Sequence, residues 1–146
     1  MQIKQVSGEG RSRLWVAILA PGEEVKATLL NWARSNDIEA ASFVALGAFA
    51  RASIAYFEWE KKHYKPIPID QQVEVISLVG DVVRDVNDAP DLHAHTVLGL
   101  PDGTTRGGHL LEGHVRPTLE VTLTETPAPL VRRMKADLGI ALIDID

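Results

Sequence analysis

Apolar and polar positions along this chain mostly follow the two-residue period of strands. Residues 13–20 (RLWVAILA) are apolar on both alternating sets, with Leu14, Val16 and Ile18 on one side and Trp15, Ala17 and Leu19 on the other. Such a strand is buried on both faces, by a helix or by a partner subunit. Pro21-Gly22 ends it, and Glu23-Glu24 opens a helix, because acidic residues near a helix start complement its dipole. Val25, Leu29, Trp32 and Ala33 then form one apolar stripe, and the helix stops near Asn36-Asp37. Residues 39–49 and 52–59 read as two strands of a hairpin joined by a short linker at 48–52. The charged segment 60–72 contains Pro66 and Pro68, which predicts a loop or an irregular edge. Strands follow at 73–80, 92–100, 106–114 and 117–125, with a polar loop at 84–91. Leu119, Val121 and Leu123 alternate with Glu120, Thr122 and Thr124, so that strand has one apolar and one polar face. Pro127 and Pro129 break the pattern, residues 130–137 read as a short helical turn, and the tail IALIDID returns as an edge strand. The sum is an α+β fold: a mainly antiparallel sheet of about seven strands with one main helix packed on a face.

A chain of 146 residues suits a single domain over residues 1–146 and can bury a core without staples. There are no cysteines, which excludes disulfides, thiolate metal sites and a cysteine nucleophile. No secretory apolar region opens the chain, and no apolar run approaches the roughly 20 residues that cross a bilayer. A cytoplasmic protein without a membrane partner fits these features. The net charge of −5 argues against nonspecific grip on DNA as the main activity. Arg11, Arg13, Arg132, Arg133 and Lys135 could form a local basic patch, although a solvated surface is the ordinary reading of such residues. Gly-x-Ser-x-Gly, P-loop and dinucleotide signatures do not occur, and Asp81, Asp85, Asp88 and Asp91 lack EF-hand spacing. Gly8-Glu9-Gly10 reads as a flexible start.

Chemistry concentrates in the histidines. Four of the five lie between positions 93 and 114. His93 and His95 leave one face of a strand, with imidazoles about 6–7 Å apart. Pro101-Asp102-Gly103-Thr104 is a turn signal, so the flanking strands pair as a hairpin. If Leu100 faces Thr104, partner positions sum to 204 and His95 lies opposite His109. A slip of one residue turns His109 to the other face and removes the site. Three neutral imidazoles with an open fourth position suit Zn²⁺, and also Ni²⁺, Co²⁺ or Fe²⁺. Glu120, on the polar face of the adjoining strand, is the candidate for supporting the ligands or acting as a base. Gly107 and Gly108 leave space above the sheet, for a ligand pocket or a close backbone approach. Strand parity sends His114 to the opposite face unless a bulge intervenes, and His63 lies in a charged loop; both are left out of the ligand set.

The run PDLHAHTVLGLPDGTTRGGHLLEGHV, followed by TLEVTLTE, resembles the signature of the plants and prokaryotes conserved (PPC) domain. VEVISLVGDV at 73–82 is similar to the family's central strand, and the N-terminal half also looks like the family's. The similarity covers about residues 9–145 and points to the stand-alone bacterial type. It implies an α+β sheet with one prominent helix, a homotrimer, and in some members a metal held by the histidines that are His93, His95 and His109 here. Plant relatives join the domain to AT-hooks and bind DNA; this chain has no Arg-Gly-Arg-Pro hook and no basic tail. Three functions follow as expectations: a trimeric metal-binding domain with or without catalysis, a DNA-associated regulator, and a ligand-free interaction module.

Overall fold

The computed structural model describes residues 1–10 and 12–145. Among these are nine strands, one α-helix and one 3-10 turn: β1 (Gln2–Ser7), β2 (Leu14–Leu19), α1 (Val25–Ser35), β3 (Ala40–Glu58), the turn Trp59–Lys61, β4 (His63–Ile69), β5 (Val73–Arg84), β6 (Pro90–Gly99), β7 (Thr105–Glu125), β8 (Val131–Lys135) and β9 (Ile140–Asp144). The α+β architecture with one helix agrees with the pattern of the sequence. The strands number nine rather than about seven, and their bounds differ instructively.

β3 is one 19-residue strand, not a hairpin. The stretch 48–52 holds no residue that reverses a chain, and β3 instead bends through register shifts between Ala45 and Arg51. Gly47 (φ 151°) lets it pass so close to β7 that a Cβ there would sit 2.3 Å from the Thr118 carbonyl oxygen. β7 is likewise a single 21-residue strand where two were expected. It runs through a cis Arg116-Pro117 bond and pairs with β3 along most of its length. The 60–72 segment contains strand β4, which pairs only with β3. Pro66 and Pro68 fit there because an edge strand has one row of N–H groups that needs no partner. Residues 131–135 form strand β8 rather than a helical turn, hairpinned to β9 through a tight reversal in which Gly139 has φ 73°. β1, whose Gln2–Ser7 pairs with β2, had no counterpart in the sequence reading.

Pairing runs in a closed circuit, β3 to β5 to β6 to β7 and back to β3. All ladders are antiparallel except one parallel bridge between Arg84 of β5 and Val131 of β8. The curled sheet and α1 enclose a core that includes Leu19, Leu29, Ile38, Phe49, Ile54, Leu78, Leu98, Leu110 and Leu119. The helix enters it through Val25, Leu29, Trp32 and Ala33, the stripe read from the sequence. Glu24 caps the helix, accepting from Lys26 N and Ala27 N. The same carboxylate accepts from Gly113 N of β7, and Val115 N donates to the Glu23 carbonyl, so the start of α1 is fastened to the strand that carries His109. No helix among the described residues is long and apolar enough to cross a membrane.

Candidate metal centre

The β6–β7 hairpin has the register that the site requires. Thr104 and Leu100 close the turn through a 2.8 Å hydrogen bond, Gly103 takes φ 82°, and His95 lies opposite His109. Asp102 fixes the turn by accepting from Thr104 Oγ1 at 2.6 Å and Thr104 N at 3.0 Å. His93, His95 and His109 therefore share one side, and each offers a ring nitrogen within 4.8 Å of the others. His93 Nε2 and His95 Nε2 are 3.2 Å apart. Two nitrogens bound tetrahedrally at 2.0–2.1 Å from one zinc would be about 3.3–3.4 Å apart, so this pair already has ligand spacing. His109 Nδ1 is buried and has no hydrogen-bond partner, a costly state that a cation bonded at that atom would relieve. The residues present thus fit a divalent metal.

Neighbouring groups set ring orientation and charge. His109 stacks between Tyr64 of β4, at 4.5 Å, and His93, at 4.9 Å. Burial pushes the His109 imidazole down to about 4, with the charges of His93 and Lys26 acting in the same direction. Burial also lowers His93, followed by the Arg132 guanidinium and His95. Both rings are neutral near pH 7, the form whose lone pair can bind a metal without first losing a proton. Arg132 is only 6% exposed. It donates to Asp91 Oδ2 at 2.7 Å and to Asp81 Oδ1 at 2.5 Å, and Asp81 is the cross-strand partner of His93.

Other candidates take different places. Glu120 pairs with Leu46 of β3, whereas His109 pairs with Ala55, so within one chain Glu120 sits nine strand positions away, about 30 Å, and cannot support the ligands. Gly108 permits a close backbone approach rather than a pocket: a Cβ there would meet the Ala55 carbonyl oxygen at 2.5 Å. Gly107 is exposed, and a Cβ would come within 3.3 Å of the Thr96 carbonyl oxygen. Neither glycine lines the cavity beside the histidines. A register shift at Leu111 does interrupt the parity of β7, yet His114 stays apart, bonded to Glu112 and Arg51. It lines a separate hollow of about 670 Å³. His63 pairs with Glu58.

Among the described residues, the expected cations are all ion-paired rather than forming a free basic patch. Arg13 is bound by Glu125, Arg132 by Asp81 and Asp91, and Arg133 and Lys135 by Asp144. Arg11 lies outside the described residues. Arg132 is also not the solvated surface charge that its type suggested. Tyr64, Lys26 and the β8–β9 hairpin, all beside the histidines, were not foreseen. The Asp-Leu-Gly reversal at 137–139 was the available signal for the hairpin. Nothing local marks Tyr64 or Lys26, which arrive through tertiary packing.

The same fold is found in solved structures. A plant- and prokaryote-conserved protein from Pyrococcus horikoshii is 34% identical, with a TM-score of 0.86 over 95% of this chain and 96% of that chain. A candidate DNA-binding protein from Ralstonia eutropha is 26% identical, with a TM-score of 0.84 over 90% of this chain and 91% of that chain. A metal-containing protein from Archaeoglobus fulgidus is also 26% identical, with a TM-score of 0.84 over 98% of both chains. No curated protein matches. The sequence pattern of the Plants and Prokaryotes Conserved (PCC) domain matches residues 6–127, and the chain belongs to that family.

Proposed function

We propose that this chain is a metal-binding PPC domain in which His93, His95 and His109 hold one divalent cation, zinc being the best match to three imidazoles and an open position. The observation that carries the reading is the convergence of three ring nitrogens within 4.8 Å, one of them on a ring whose buried Nδ1 has no partner. The metal-containing Archaeoglobus fulgidus relative supports it. A bound cation would supply a Lewis-acidic position for an oxygen ligand or a water. Lys26, Tyr64 and Arg132 orient and charge that position. Homotrimeric assembly belongs to the same reading, because Val44, Leu46, Ile76 and Val79 leave an apolar surface on the outside of the sheet.

Metal analysis of tag-free protein supplied with zinc tests the proposal. About one equivalent per chain is expected. His95→Ala is the informative variant, since His95 is exposed and its loss leaves the core intact. It should keep the circular dichroism of the wild type while losing most of the metal. Wild-type protein that takes up less than about a tenth of an equivalent would sink the reading. A DNA-associated role is the weaker alternative, since each of the expected basic residues that the structure describes is ion-paired, Arg133 and Lys135 sharing Asp144.

A further inference from the structure

Beside His93 and His109 opens a cavity of about 300 Å³, at the lower end of the range for small-molecule sites. Its walls are of two kinds. Lys26 enters from the first turn of α1. Tyr64, Met134, Ile140 and Leu142 give an apolar side, three of them from the β8–β9 hairpin. That hairpin is tied to the site by the Arg132 bonds to Asp81 and Asp91, and by Lys62, which donates to the Asp137 carbonyl. It lies outside residues 6–127, the part of the chain matched by the family pattern. The histidines, Lys26 and Tyr64 are therefore within the shared segment, and the hairpin that completes the wall is not.

Charge decides what the cavity takes. Arg132 is offset by Asp81 and Asp91, leaving one negative charge that Lys26 balances. A dication on three neutral imidazoles then stands uncompensated in a half-buried site, which favours an anionic ligand. The Lys26 ammonium has no hydrogen bond or ion pair among the described residues, although its charge is felt at His109. An unpaired, half-buried ammonium beside a candidate metal position suits an anion that bridges the two.

We infer that this site binds a small monocarboxylate with an apolar body: one carboxylate oxygen occupies the open metal position, Lys26 meets the other, and the body packs on Tyr64 and the β8–β9 hairpin. The inference rests on the metal reading above. A phosphate would satisfy the charges but leave the apolar wall without a partner.

Cobalt-loaded full-length protein provides the test, because the visible bands of tetrahedral cobalt respond to its fourth ligand. Cobalt stoichiometry is measured first, and butyrate, acetate and inorganic phosphate are then titrated separately. Butyrate should change the spectrum at concentrations about tenfold below acetate, from two further buried methylenes. Lys26→Met should load cobalt yet bind butyrate at least about tenfold more weakly, the size of a lost charged hydrogen bond. Met134→Asp, at an exposed hairpin position, should remove the preference for butyrate over acetate. Loaded wild-type protein whose spectrum ignores butyrate, or a Lys26→Met protein that titrates like wild type, overturns the inference alone. Phosphate binding more tightly than butyrate overturns the monocarboxylate assignment. Failure to load cobalt overturns the metal reading, and this inference with it.

Discussion

Asp102 shows how a single exposed side chain sets the geometry of the histidines. Its carboxylate accepts from the Thr104 hydroxyl and then from the Thr104 backbone N–H, and these bonds hold it below its ordinary value of 3.8. The turn they close sets the pairing that brings His95 opposite His109. Because the folded value is depressed, the stabilisation is present above pH 3.8 and is lost as pH falls through the lower folded value. NMR titration of the Asp102 carboxyl should give a midpoint below 3.8, and in Thr104→Val the midpoint should rise toward it. The stability difference between the two proteins should shrink toward zero with acidification across that window. A midpoint that does not move in Thr104→Val would remove the hydroxyl as the cause. Gly108 acts at the same scale through what it lacks. With any side chain there, β7 could not lie against Ala55 of β3, and His109 is the next residue.

Among the elements, helix α1 and the hairpin of β6 and β7 were legible in the sequence, and the long strands were not. The helix was readable because its stripe, its acidic start and its Asn36-Asp37 stop are all local. The site was readable for a related reason: His-x-His fixes two rings on one face, and a four-residue turn fixes the register of the third. β3 and β7 were each cut in two because bulges and bends shift the alternation of a strand without ending it, and the sequence records only the shift. The same ambiguity misplaced Glu120, since the direction of a bent 21-residue strand is set by pairing partners far along the chain. Lys26 lies in the first turn of α1, next to the pinned start of the helix. Glu24 does the pinning, capping two helix N–H groups and accepting from Gly113 of β7. Glu24→Ala should cost about 1–2 kcal/mol, as loss of an N-cap does. For a domain of this size that is a fall in Tm of roughly 2–8 °C. Glu24→Asp, which keeps a capping carboxylate, should recover most of it. Equal melting of Glu24→Ala and wild type would show that the helix start is held by packing alone.

For the whole molecule, the open question is what covers the outer face of the sheet and whether the metal site depends on it. Val44, Leu46, Ile76 and Val79 are all exposed, Leu46 at 63%, and with Glu120 and Thr122 they line one hollow. Single exposed apolar residues are ordinary on a monomer, but a contiguous group on a sheet face marks a contact surface. A second and third copy of this chain are the occupants that the family resemblance points to. Sedimentation should then give three times the chain mass of 16.0 kDa. Leu46→Glu should dissociate the assembly, because it buries a carboxylate next to Glu120, its cross-strand neighbour, which has no cation partner among the described residues. The three ligands come from β6 and β7 of one chain, and the hollow on the outer face shares no residue with the cavity beside the histidines. The dissociated Leu46→Glu protein should therefore still load one cobalt per chain. Loss of both trimer and metal in that variant, with circular dichroism unchanged, would instead place part of the binding site across the contact between subunits. A wild-type monomer at every concentration would remove the apolar face as an assembly surface while leaving the histidine site standing, since its three ring nitrogens come from one chain.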